Sequence, residues 1–339
     1  MNRRIAIVLA LSLALALGLF AAPRRYEVDG ISMGPSLLPG DVVATGWLPE
    51  LDRWRIPRRF DRSIVRLPDG STGLKRMAGL PGEEISLAAG DLAIDGRIVL
   101  KSPRQLAVMG SRVGTPAAMP DGEPRRGERG AAAAWAAAPA TFLDDAPFAT
   151  AEVSRVLLPV RDVGFAAVVA LPATGIAGPV RLRATTGPMS VTWRLGAPGR
   201  YAVVAGRLDG HAVASVWPFP GGAGWHDAER HCLPPGAPAR WDAALPWPMP
   251  KVGAGEGLAD DRSPGLVLEL FSSGDKEAVI DRVALWRDIL LRPAADDVET
   301  WRLGPDEVFL LGDFPSGSRD SRHFGPLPVA AVRHRVSAP

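Results

Sequence analysis

Three short segments of the chain hold side chains able to do bond-breaking chemistry. The first is Gly30-Ile31-Ser32-Met33-Gly34-Pro35-Ser36-Leu37, followed by Gly40-Asp41-Val42, and it offers the hydroxyl of Ser32. The second is Lys75-Arg76-Met77-Ala78-Gly79-Leu80-Pro81-Gly82-Glu83. Read as a strand, it puts Gly73, Lys75 and Met77 on one face and Leu74, Arg76 and Ala78 on the other, so Lys75 has no acid in register. The third is Gly312-Asp313-Phe314-Pro315-Ser316-Gly317-Ser318-Arg319-Asp320-Ser321-Arg322, with Phe324-Gly325 after it. Alone it reads as a polar loop closed by an Asp–Arg pair. A serine hydroxyl becomes a nucleophile only beside a base, and no histidine lies in or near the first two segments.

Short strands must position these groups. Ser63–Leu67, the turn Asp69-Gly70 and Thr72–Ala78 predict one hairpin; Leu92–Ile94, Asp95-Gly96 and Arg97–Leu100 predict a second. From Phe142 to Leu291 strand-sized runs recur, among them VSRVLLPV, RYAVVAG, LVLELF and AVIDRVALWRDILL. Eight of the ten tryptophans lie between Trp135 and Trp301, and the region predicts an inserted β-sandwich-like domain. The divisions expected are a membrane anchor over 1–25, a first catalytic part over 26–102, a β-rich insert over 103–300 and a second catalytic part over 301–339. Within the insert, 103–141 reads as linker-like because it is rich in Ala, Pro, Gly and charge.

Ile5 to Ala22 is apolar and uncharged, preceded by Arg3 and Arg4, and long enough to span a bilayer. Pro23 after Ala22 disfavours cleavage there, so an uncleaved transmembrane helix is preferred to a secretory signal. Arg24 and Arg25 balance the arginines before the segment, which weakens orientation by charge. Over 339 residues the net charge is only +2, and no basic stripe points to nucleic acid. The one cysteine, Cys232, excludes an intrachain disulfide framework and a CxxC metal knuckle. The 37 glycines and 33 prolines favour short strands and turns over long helices.

Taken in this order behind an apolar segment, the three pieces resemble the type I signal peptidases, membrane-anchored serine proteases with a Ser–Lys dyad. The family's Ser-Met-x-Pro-Thr-Leu and Gly-Asp are matched by Ser32-Met33-Gly34-Pro35-Ser36-Leu37 and Gly40-Asp41. Its Lys-Arg-x-x-Gly-x-Pro-Gly-Asp is matched by Lys75 to Gly82 with Glu83 for the Asp. Its Gly-Asp-Asn…Ser-x-Asp-Ser-Arg…Gly is matched by Gly312-Asp313, Ser318 to Arg322 and Gly325. Phe314 departs from the usual Asn, and Phe60 stands where Gly is usual.

The resemblance implies a mainly β fold class, with a signal-peptidase-type catalytic β-fold split by the insert. It makes Ser32 the nucleophile and Lys75 the base, with Ser318, Asp320, Arg322 and Asp313 in support and Met33, Pro35 and Leu37 at the substrate. An exposed lysine, with a pKa of about 10.4, is neutral in about one molecule in a thousand at pH 7.4. Burial lowers that pKa by disfavouring the ammonium. The oxyanion would be met by the Ser32 backbone N–H; a serine donor two residues earlier is absent, because that position is Gly30.

The function implied is removal of N-terminal signal peptides from exported pre-proteins through an acyl-enzyme. The chain would be single-pass in the plasma or inner membrane, its catalytic part extracytoplasmic. The partners are signal peptides and the lipid bilayer, without nucleic acid, cofactor or metal. His226, Asp227, His231 and Cys232 lie close together in sequence but match no standard zinc spacing, and His323 reads as a loop residue. A self-cleaving repressor would need a DNA-binding N-terminus where this chain is apolar. The alternative from another class is an anchored binding protein whose insert holds carbohydrate or protein while the protease core is vestigial; tryptophan as core filler is the plainer reading of the insert.

Overall fold

The computed structural model describes residues 22–46, 58–88, 90–113, 133–137, 141–144, 157–173, 178–219, 232–247, 265–271, 278–291 and 300–336. The apolar segment read as an anchor lies, but for Ala22, outside the described residues. Among the described residues no helix is long and apolar enough to cross a membrane. The fold is mainly β and divides into two compact units. The first comprises Met1–Ala88, Leu92–Arg97 and Arg292–Pro339; the second comprises Ala89–Asp91 and Ile98–Leu291.

In the first unit, Arg62–Arg66 and Thr72–Gly79 pair antiparallel, with Ser63 opposite Lys75 and Arg62 opposite Arg76. Their turn closes because Gly70 takes φ +85° and the Asp69 carboxylate accepts from the Ser71 amide at 2.9 Å. Asp95 and Gly96 both take positive φ, 48° and 75°, which is the backbone an Asp-Gly hairpin turn demands. The five-stranded sheet runs Leu327–Pro328, Glu307–Leu311, Thr72–Gly79, Arg62–Arg66, Val332–Arg335. Val65, Met77, Val308, Leu310, Leu327 and Val332 form a core cluster on this sheet. Lys75 therefore sits on the central strand, and Glu307–Leu311, which leads into the third segment, is that strand's neighbour.

Phe60 takes φ +67°, a region that costs an L-residue roughly 1–2 kcal/mol and that glycine occupies freely. Its ring is buried, and its carbonyl accepts from Arg76 Nη1 at 2.7 Å. The backbone that favours Gly here is thus retained, with apolar burial offsetting the strain.

The second unit holds two sheets around a shared apolar core. One runs Ala243–Pro246, His211–Pro218, Gly199–Leu208, Val163–Leu171, Val279–Arg287, Ser111–Val113. The other runs Met189–Leu195, Val180–Thr186, Leu266–Phe271, Ala133–Ala137. Phe165, Ala167 and Val203 from the first sheet pack with Leu182, Leu268 and Trp135 from the second. A further cluster on the opposite face of the larger sheet contains Trp217, Trp286 and Cys232. The Trp286 ring is fully buried and lies over Gly164 and Gly206, where an added Cβ would come within 2.3 and 2.6 Å of the indole. Trp135 and Trp217 are buried too, so these three tryptophans are core.

The stretch 103–141, read as linker-like, is structured where it is described. Pro103–Met109 is a helix with Ser102 and Gln105 as a capping box. Ala133–Ala137 is a strand paired with Leu266–Phe271, because Trp135 turns into the core while its alanine neighbours fit an edge. Cys232 is buried and donates to the Leu106 carbonyl at 3.2 Å, and burial pushes its thiol pKa up. His226, Asp227 and His231 lie outside the described residues.

Unit two also buries a charge cluster that no motif announced. Lys101 Nζ binds Asp209 Oδ1 and, at 2.7 Å, Asp288 Oδ2. Carboxylate oxygens of Asp91, Asp162 and Asp209 all lie within 4.8 Å of one another. Burial and mutual repulsion raise the pKa of Asp91 and Asp162, and burial raises that of Asp209 to about 7. An acid held protonated by the fold stabilises it at low pH, and that contribution is lost as pH rises through the folded pKa. The stability of this unit is therefore expected to fall between about pH 4 and 7, by about 1.4 kcal/mol per pH unit for each proton released. Calorimetry of Asp91→Asn should show a shallower slope; an unchanged slope would place the released protons elsewhere.

Candidate active site

Ser32 lies in the turn between Arg25–Glu27 and Val42–Ala44, strands paired antiparallel. The turn is held from within: Gly34 N–H donates to the Ile31 carbonyl and Leu37 N–H to the Met33 carbonyl, each at 2.9 Å. Met33 and Leu37 anchor it by packing with Val28 and Val43. Met33 and Leu37 are 1% and 3% exposed. Pro35 and Leu38 of the same turn are partly exposed.

Lys75 Nζ stands 3.0 Å from Ser32 Oγ and 3.3 Å from Ser318 Oγ. Lys75 and Ser318 are buried. Burial lowers the Lys75 pKa; the charges of Asp320 and Asp313 oppose this, and that of Arg322 adds to it. The arrangement presents a hydroxyl, an amine biased toward its neutral form, and a second hydroxyl that fixes the amine's direction.

The third segment reaches this point because Leu311 pairs with Arg76, one residue beyond Lys75. Asp320 accepts from the Gly312 amide at 2.9 Å and from Arg322 Nε and Nη2 at 2.8 Å each. Burial alone would push the Asp320 carboxyl up, but the hydrogen bonds and charge of Arg322 hold it below its ordinary value. His323 belongs to the capping box of the short helix Ser321–Phe324. Phe314 is buried, its N–H donates to the Ser32 carbonyl at 3.1 Å, and its ring lies against Gly317 near Ile31.

Sequence reasoning missed what Asp313 does and two of its partners. Arg76 binds Asp313 through Nε at 2.5 Å and through Nη2, and Ser36 Oγ donates to the same carboxylate. Arg62, opposite Arg76 and also buried, has its pKa lowered by burial and by the Arg76 charge, against the pull of Asp313. Asp313 thus ties the nucleophile turn to the lysine strand. The available signal was the run of polar residues at 62–63 and 75–76 on paired strands, too many to be solvated on both faces.

Gly312 is required by space. A Cβ there would lie 2.2 Å from Ser318 Oγ and 2.5 Å from the Ser32 carbonyl oxygen. Gly312→Ala is expected to displace both and lower turnover on the order of 100-fold. Peptide-cleavage kinetics would show it, and near-wild-type turnover would mean that the loop yields without moving either serine.

Among the described residues, the acids close enough to share a cation are Asp91, Asp162 and Asp209 in the second unit, where Lys101 pairs with Asp209 and Arg207 with Asp162.

Residues 1–118 match the family described as signal peptidase, peptidase S26. The chain is 32% identical over 74 residues to Signal peptidase I V of Bacillus subtilis (strain 168), a match covering 22% of this chain and 43% of that protein. The chain thus spans less than half the length of the curated relative it matches. The matched residues 1–118 contain both Ser32 and Lys75, so the part of the chain that is similar to the signal peptidases of family S26 is the part that carries the serine and the lysine.

Proposed function

We propose that the chain is a membrane-anchored serine endopeptidase that removes N-terminal signal peptides from exported pre-proteins. The observation that carries this reading is a buried lysine amine 3.0 Å from a serine hydroxyl. Ser32 Oγ attacks the scissile carbonyl while Lys75 Nζ takes its proton. The tetrahedral oxyanion is met by backbone N–H at Ser32, and its collapse expels the new amine, which receives the proton from Lys75. Water then attacks the acyl-enzyme as Lys75 removes a proton from it, releasing the signal peptide and restoring Ser32. Ser318 orients the amine, and Asp320 with Arg322 holds the loop that carries Ser318. Residues 5–22 form the single transmembrane anchor, with the catalytic fold outside the cytoplasm and divided in sequence by the β-rich insert.

The test is cleavage of a pre-protein by the detergent-solubilised chain. The wild type is expected to cut after a small-x-small sequence, and Ser32→Ala to leave the substrate whole. A folded wild-type chain without cleavage would overturn the reading in favour of a binding protein.

A further inference from the structure

The smaller sheet of the second unit carries an outward face on which arginines and an aromatic ring lie together. Val180–Thr186 buries Val180, Leu182, Ala184 and Thr186 and turns Arg181, Arg183 and Thr185 outward. On the neighbouring strand Ser190, Thr192 and Arg194 are exposed, and on the other side Glu269 and Phe271 alternate with buried leucines. Register places Arg181 directly opposite Arg194 on one side and Phe271 on the other. The Arg181 and Arg183 guanidinium carbons lie 5.4 and 4.9 Å from the centre of the Phe271 ring.

Three arginines here meet one acid. Arg183 pairs with Glu269, and among the described residues Arg181 and Arg194 form no ion pair. Two other surface arginines do find carboxylates, Arg200 with Asp281 and Arg302 with Glu84. Like charges set directly opposite on adjacent strands destabilise the sheet. That cost is removed when an anion sits over both guanidinium groups, each of which presents a planar fork suited to phosphate oxygens.

We infer that the Arg181–Arg183–Arg194 face, with Phe271 on its flank, docks on the surface of a bilayer rich in anionic phospholipid. The face is a pleated sheet surface and fits an extended plane of phosphates. A half-buried aromatic ring among guanidinium groups matches the headgroup level of a bilayer, where apolar and charged groups lie together. The inference rests on the anchoring part of the proposed function, which keeps the chain at a membrane. Each arginine adds about fivefold to binding at such a surface.

The test places a polarity-sensitive dye on the face of the full-length chain in lipid nanodiscs. Thr192→Cys supplies the attachment point, since native Cys232 is 0% exposed. In discs containing phosphatidylglycerol, headgroup nitroxide lipids are expected to quench the dye. Quenching should vanish in pure phosphatidylcholine, in about 1 M salt, where the Debye length is about 3 Å, and in Arg181→Gln/Arg183→Gln/Arg194→Gln. Near-UV circular dichroism verifies that this variant is folded. Equal quenching in neutral lipid, or quenching that survives the triple substitution, overturns the inference. So does salt-sensitive binding of soluble polyglutamate without lipid quenching, which would make the partner an acidic polypeptide. Chain that does not stay with the discs would instead contradict the anchor, so the two failures are separable.

Discussion

Lys75→Arg is expected to abolish cleavage as completely as Lys75→Met, by on the order of 10,000-fold in kcat/KM. The two variants remove the same thing by different routes. Methionine deletes the amine; arginine keeps the positive charge but cannot give up its proton. If Lys75 acted only as a positive charge near the oxyanion, arginine would preserve much of the activity. The pH profile supplies a second reading of the same group. Burial lowers the folded pKa of Lys75 below its ordinary value of 10.5, so the neutral amine accumulates as pH climbs through that lowered value. Wild-type kcat/KM should rise with pH along a limb whose midpoint lies below 10.5. Ser318→Ala loosens the amine and is expected to cost about tenfold, the scale of one hydrogen bond. Substantial turnover by Lys75→Arg would remove Lys75 from the role of base.

Asp313→Ala should destabilise the first unit by about 3–5 kcal/mol, the scale for breaking a buried ion pair from one side. Arg62 and Arg76 are only 5% and 4% exposed, and Asp313 is the carboxylate set against them. Its loss leaves two guanidinium groups facing each other in low dielectric, with Ser36 left only the Met33 carbonyl as acceptor. Because Ser36 lies in the nucleophile turn, cleavage should fail alongside stability. The exposed pair Arg302–Glu84 provides the contrast, its arginine side chain being 83% exposed. Glu84→Ala is expected to cost under about 1 kcal/mol. Urea unfolding of both variants measures the difference; similar small losses would mean that water replaces Asp313 around the arginines.

Local chemistry was the legible part. Asp69-Gly70 and Asp95-Gly96 announce hairpins because left-handed backbone is cheap at glycine and tolerable at Asp, and the strands they join are where the spacing puts them. The segments around Ser32, Lys75 and Ser318 could be picked out by residue type and order, and the fold brings those three side chains together. Within 103–141, alanine and charge are compositional cues for a linker and give no sign of the helix Pro103–Met109 or the strand Ala133–Ala137. Ala133–Ala137 becomes a strand through Leu266–Phe271, more than a hundred residues away in sequence. That Met33 and Leu37 pack with Val28 and Val43 could not be read from their place beside the nucleophile.

The division follows from the range of the forces. Turn backbone, strand alternation and the order of reactive side chains are set by neighbours within a few residues, so the sequence alone determined a mainly β chain carrying a serine, a lysine and an Asp–Arg loop. Desolvation and ion pairing depend on what lies across a sheet. Only the tertiary structure decided that Lys75 is buried between two hydroxyls, that Asp313 balances Arg62 and Arg76, and that Lys101 stands within an acid cluster. A side chain's dielectric surroundings are assembled from residues far apart in the chain, and its chemistry is fixed when they close around it.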